Sequence, residues 1–319
     1  MNNKVSIIMY HYVRSIASSR YSDIKGLDLV LFRQQIAFLK EYGNFISFEQ
    51  LLEAIDGGRA LPKKSVLLTF DDGYIDHYTN VFPILKENGI QGFFSMPGKI
   101  LAEHKLLDVN MIHFILASTP IDKLLSFVYD RLDYYRGNEF DIPANEELYI
   151  KLAKANRFDS AEVIFVKRLL QVELEENLRH LIVKELFNKC VGMSEEAFAQ
   201  ELYMSEDQVR LMSKEGMLFG IHGYDHYWMN RLTQEQLQND IQNALQVFDG
   251  IVDPNHWICC YPYGSCSETV IDYVKSQGAI AGVTTEVALA DISVCDRFIL
   301  PRFDTNDFPP KSENFKCSN

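Results

Sequence analysis

Two carboxylates at a strand end and two histidines four residues apart are the residues of this chain best suited to shared chemistry. Thr69-Phe70-Asp71-Asp72-Gly73 follows the apolar, β-branched run Ser65 to Leu68, and His222-Gly-Tyr-Asp-His226 stands far downstream. A metal that activates water keeps one position open and typically takes three protein ligands. Asp72, His222 and His226 make such a set. In a regular strand Asp71 and Asp72 point to opposite faces, but Gly73 permits a turn that lets both reach one cavity. One carboxylate can then bind metal while the other handles protons. Asp-Asp-Gly is also an ordinary turn signal, and a histidine pair at this spacing arises by chance, so the two halves carry weight only together. The expected cofactor is one divalent metal, zinc by default, with cobalt, nickel or iron also suited to these ligands.

A third element, Cys260-Tyr261-Pro262-Tyr263-Gly264, follows the strand candidate His256 to Cys260. Alone it reads as a Pro-Gly loop. Together the three segments share a placement, since each follows a strand-like run, and an α/β barrel delivers all its strand C-termini to one face.

At these motifs the chain resembles the polysaccharide deacetylase family, the NodB-homology carbohydrate esterases, from Val5 to about Asp304 with a long interruption. The resemblance implies Asp71 as general base, Asp72, His222 and His226 as metal ligands, and the Tyr263 backbone N–H as oxyanion donor. It implies hydrolysis of an N-acetyl amide on a sugar or glycan precursor, releasing acetate. Two positions depart from the family pattern. Cys260 stands where the family has an arginine that orients the base, and Leu300-Pro301-Arg302 stands where a late Leu-x-His is usual. Tyr-Pro-Tyr-Gly, the late Leu-Pro-Arg and the early Met9-Tyr10-His11 are similar to the branch that includes exopolysaccharide deacetylases. His11 is therefore a candidate general acid, a buried structural histidine being the other reading. Arg302 is the candidate substitute for the missing arginine beside Asp71. Two other readings are a deformylase or amidohydrolase acting on a non-sugar amide, and a catalytically degenerate barrel that binds glycans.

The elements that must position these residues alternate in the manner of a parallel α/β fold. Strand candidates are Val5 to Met9, Ser65 to Phe70, Gln91 to Met96, Met217 to Ile221, His256 to Cys260, Ile280 to Thr284 and Arg297 to Leu300. Helices are expected at Leu29 to Tyr42, Phe48 to Ile55, His77 to Asn88 and Gln234 to Phe248. Ser47 with Gln50, Ser205 with Gln208 and Thr233 with Gln236 are capping-box patterns. The expected fold is a distorted (β/α) barrel of seven or eight strands formed by residues 1–101 and 206–319. Residues 102–205 form a helical insertion that could cap the barrel mouth. Within it Ile164, Phe165, Leu169, Leu170, Leu174, Leu178, Leu181, Ile182 and Leu186 recur at helical spacing and predict a core face. Tyr134 and Tyr135 could stack on sugars or pack between helices, and Trp228 could line a groove or anchor its loop. Asp225 could orient a ligand or be a solvated loop acid. His77, His104, His113, His180 and His256 read as surface or satisfied core residues.

Composition fits an enzyme-sized globular chain, with 319 residues, 47% hydrophobic and 24% charged. The net charge of −13 argues against nucleic acid or an anionic membrane surface as partner, and is compatible with a neutral N-acetylated sugar. No apolar stretch is long enough to span a bilayer, and Val5 to Met9 is short for a signal-peptide core, so a cytoplasmic location is expected. The six cysteines show no paired finger spacing and read as reduced thiols.

Overall fold

The computed structural model describes residues 3–137, 139–156 and 159–312. The chain divides into two compact units, one of residues 1–15, 26–105 and 199–319, the other of residues 16–25 and 106–198.

The first unit is built on a curled sheet. The strands of this unit are β1 (Lys4–Tyr10), β2 (Val13–Arg14), β3 (Leu27–Asp28), β4 (Asn44–Phe45), β5 (Ser65–Asp71), β6 (Gly92–Met96), β7 (Leu218–Ile221), β8 (Trp257–Cys260), β9 (Ala279–Val283), β10 (Ala290–Asp291) and β11 (Phe303–Asp304), of which β2 and β3 pair apart as a two-stranded sheet. Strands β1, β5, β6, β7, β8 and β9 run parallel in that order, and β10 pairs antiparallel with the start of β1. Every residue of β5 is buried, as a strand covered on both faces requires. Leu67, Phe93, Ile258, Ala281 and Val283 share one core cluster. Tyr10, Phe70, Phe94 and Phe219 form a run of stacked rings 4.9 to 5.6 Å apart. Burying each such side chain contributes about 1.5 to 3 kcal/mol.

One strand expectation needs correction. Arg297 to Leu300 forms turns, not a strand: the Ile299 N–H returns to the Asp296 carbonyl, and only Leu300 bridges β9, at Val283. Pro301 has no N–H to extend that ladder, and the chain becomes β-paired again at β11, where Phe303 and Asp304 lie beside Ile8 and Met9. The segment 300–304 thus ties β9 back to β1, with Arg302 in the seam.

The helices around this sheet are α1 (Leu29–Tyr42), α2 (Phe48–Ile55), α3 (Phe82–Asn88) and α4 (Gly98–Ala102) in the first half of the chain. His77–Val81 forms a wider π-turn before α3, so the single helix expected from His77 to Asn88 is split. The second unit holds α5 (Asp108–Ser118), α6 (Ile121–Tyr135), α7 (Asn145–Leu152), α8 (Ala161–Arg168), α9 (Glu176–Cys190) and the start of α10 (Glu195–Leu202). Its predicted apolar stripe is buried except for Leu181, which is 41% exposed. Helices α11 (Glu206–Lys214), α12 (Gln234–Val247) and α13 (Glu268–Ser276) complete the first unit. All three capping boxes form, at Ser47, Ser205 and Thr233. Among the described residues no helix is long and apolar enough to cross a membrane. Cys190, Cys259, Cys260, Cys266 and Cys295 are free thiols, and Cys317 lies outside the described residues.

Candidate active site

Parallel strands bring the motifs together at their C-terminal ends. Asp71 ends β5, and Asp72 then enters the left-handed region at φ +74°, followed by Gly73 at +69°. Both acids are buried. His222 follows β7 directly, and His226 sits in the loop at φ +60°. Tyr263, after β8, has φ +59°. Left-handed backbone at three non-glycine residues costs free energy and persists where the surroundings demand it.

Asp72, His222 and His226 converge. Asp72 Oδ1 lies 3.4 Å from the Nε2 atoms of both histidines. Although buried, it has no hydrogen-bond partner among the described residues. One carboxylate oxygen and two imidazole nitrogens facing each other across a buried gap fit a divalent cation. His222 Nδ1 donates to the Cys260 carbonyl at 2.6 Å, so that a neutral ring carries its Nε2 lone pair toward the gap. Burial alone would raise the Asp72 carboxyl, but the two imidazoles outweigh it and hold the group well below the usual carboxylate range. Burial pushes His226 downward, favouring the neutral ring that a metal needs.

Asp71 is held differently. Arg302, wholly buried, donates through Nη1 to Oδ1 at 2.9 Å and through Nη2 to Oδ2 at 2.8 Å. Ser95 on β6 adds its hydroxyl to Oδ1 at 2.7 Å. Arg302 Nε donates to the Thr284 carbonyl, Nη1 also reaches Thr69, and Nη2 lies 3.4 Å from the Cys260 thiol. Burial works to raise the Asp71 carboxyl, yet the guanidinium wins and keeps it ionised far below its ordinary value. The small Cys260 side chain sits against the guanidinium that reaches Asp71 from the seam.

His11 follows β1 and is half-buried, and its carbonyl meets Nε2 of the buried His77 at 2.9 Å. Tyr263 stacks on Trp228 at 4.5 Å and 7°, and lies edge-on to His226 at 4.7 Å. Trp228 therefore packs on the site's rim.

Several supporting residues were not singled out by spacing. Asp240 on α12 accepts the backbone N–H groups of Tyr224 and Asp225, each at 3.0 Å, and so fixes the histidine loop. Burial raises its carboxyl to about 6. From the other side, the backbone N–H groups of Gly98 and Lys99 donate to the Gly223 and Tyr224 carbonyls, and Lys99 pairs with Asp225. Asp225 thus braces the loop, not the ligands. The signal for Asp240 lay in its register: it falls on the buried stripe with Leu237, Ile241 and Ala244.

The family model described as polysaccharide deacetylase matches residues 58–115 and 183–281. The poly-beta-1,6-N-acetyl-D-glucosamine N-deacetylase of Escherichia coli (strain K12) is 42% identical over 86 residues, covering 27% of this chain and 12% of that protein. The polysaccharide deacetylase-like protein YxkH of Bacillus subtilis (strain 168) is 30% identical over 88 residues, covering 28% of this chain and 32% of that protein. The matched regions thus span less than a third of either relative's length. The Streptococcus pyogenes deacetylase PplD, solved with acetate, shares the fold at TM-score 0.60 and 16% identity, covering 98% of this chain and 96% of that one. IcaB from Ammonifex degensii does so at TM-score 0.55 and 18% identity, covering 96% and 93%. The two matched blocks carry the Asp-Asp and His-x-x-x-His segments and part across the helical insertion, while the fold likeness runs nearly end to end: the chain belongs to the polysaccharide deacetylase family.

Proposed function

We propose that this protein is a metal-dependent carbohydrate N-deacetylase that hydrolyses an N-acetyl amide on a sugar or glycan precursor, yielding acetate and an amino sugar. The observation that carries the reading is the pairing of a three-ligand gap, Asp72, His222 and His226, with a separate carboxylate, Asp71, locked by Arg302. The E. coli relative, named for N-deacetylation of an N-acetylglucosamine polymer, supports the substrate class.

Asp72, His222 and His226 would hold the cation, zinc being the default for one oxygen and two nitrogen donors. When bound, it supplies Lewis-acid polarisation and lowers the pKa of water. Asp71 takes the proton from the attacking water. Arg302 and Ser95 keep that carboxylate ionised and aimed, so it enters the reaction as a base. The Tyr263 backbone N–H, on its left-handed turn, is assigned to the oxyanion that develops on the acetyl carbonyl. His11, at the same sheet end, is assigned to protonate the leaving amine.

The test is acetate release from a panel of N-acetylated sugars, nucleotide sugars and short glycans, with chelation and metal add-back. Metal-dependent acetate release supports the reading. Release of formate or ammonia instead, or glycan binding with no product after metal is restored, overturns it.

A further inference from the structure

The two oxygens of Asp72 have different surroundings. Oδ1 faces the histidine nitrogens across the gap, whereas Oδ2 accepts the Tyr74 hydroxyl at 2.5 Å. Tyr74 is wholly buried, stacks on Tyr12 at 4.0 Å and 25°, and lies nearly parallel to Tyr203 at 6.3 Å. Clamped between those rings, the phenol cannot swing away from the carboxylate without opening the core.

A carboxylate can hold a cation through one oxygen or both, and the choice changes the coordination number. Resting on the metal reading above, we propose that Tyr74 is a positioning residue that restricts Asp72 to one oxygen toward the cation and thereby sets which divalent ion the site prefers. An O–H···O⁻ hydrogen bond of this length takes one of the two Oδ2 lone pairs, draws charge from that oxygen and fixes the carboxylate plane. The protein then supplies three donor atoms, Asp72 Oδ1 and two Nε2, a number that suits a low-coordinate ion and leaves room for water and a carbonyl oxygen. Without the phenol hydroxyl, Oδ2 is released to chelate, which favours ions that accept more oxygen ligands.

The experiment titrates metal-free wild type and Tyr74→Phe with cobalt(II) alone and zinc alone, following affinity and the visible absorption of bound cobalt. The hydroxyl is lost while the ring stays, so the aromatic packing is kept. Expected for Tyr74→Phe is an affinity about 10- to 100-fold weaker, the range for losing an outer-shell partner, with weaker cobalt absorption as coordination number rises. A wild type that binds neither ion overturns the metal reading and this inference with it. A wild type that binds, beside a Tyr74→Phe unchanged in affinity and spectrum, overturns this inference alone. If the variant does not fold, a crystal structure of cobalt-loaded wild type decides. One Asp72 oxygen on the ion with the other still under Tyr74 supports the proposal, and both on the ion overturns it.

Discussion

Arg302 and Asp71 form a buried two-pronged ion pair, Nη1 to Oδ1 at 2.9 Å and Nη2 to Oδ2 at 2.8 Å, joining the seam between β9 and β1 to the end of β5. Removing one partner strands the other charge out of water. Arg302→Met should cost about 3 to 5 kcal/mol of stability, measured by urea unfolding, and should abolish turnover. Asp71→Asn paired with Arg302→Met should cost less than the sum of the two single changes, because neither charge is then left alone. Additive losses would show that the pair is not coupled.

The division of labour between the two acids predicts different losses from neighbouring positions. Asp71→Asn should keep bound metal and lose kcat, by about 100-fold or more as for removal of a general base. His222→Ala and His226→Ala should lose the metal as well, read by elemental analysis after dialysis. Unimpaired kcat in Asp71→Asn would reject the base assignment.

Much of this arrangement was legible because its parts are short motifs at strand ends. Asp71, Asp72, His222 and His226 needed only spacing and a preceding apolar run, and Arg302 needed the observation that Cys260 stands where an arginine was expected. What spacing could not show were contacts made across the sheet. Ser95 reads as an ordinary strand residue until β6 lies beside β5 and its hydroxyl meets Asp71. Arg297 to Leu300 reads as a strand because the apolar run Phe298-Ile299-Leu300 carries no mark of the Asp296 carbonyl that folds it into turns. His77 read as either a surface or a core residue, and only the folded chain shows that it is the latter, wholly buried with its Nε2 donating to the His11 carbonyl.

Asp240 gives a pH prediction. Its folded pKa is raised to about 6 from 3.8, chiefly by burial, so the native state binds the extra proton between those values. Its stabilising contribution is therefore complete below the unfolded pKa and is lost as pH rises through about 6. A shift of this size is worth about 3 kcal/mol. Asp240→Asn keeps an acceptor for the Tyr224 and Asp225 N–H groups and does not titrate. Its stability relative to wild type, measured on metal-free protein, should rise from pH 4 to pH 7. A difference that stays flat across that range would show that Asp240 titrates normally.

His11 is the residue for which the surroundings argue most indirectly, and its test separates chemistry from architecture. It stands one residue beyond β1, with its backbone fixed by His77, and it lies within electrostatic reach of both Asp71 and Asp72. Burial holds His77 down at about 4, so that ring stays neutral near pH 7 and serves as a fixed support. If His11 protonates the leaving amine, His11→Ala should lower kcat by about 100- to 10,000-fold with metal content and melting temperature close to wild type. A structural role would move the melting temperature first. Because an acid is needed only when the leaving group is poor, an acetyl ester of a good leaving alcohol should lose far less activity in His11→Ala than the N-acetyl amide does. Equal losses on ester and amide would assign His11 to some step other than amine departure.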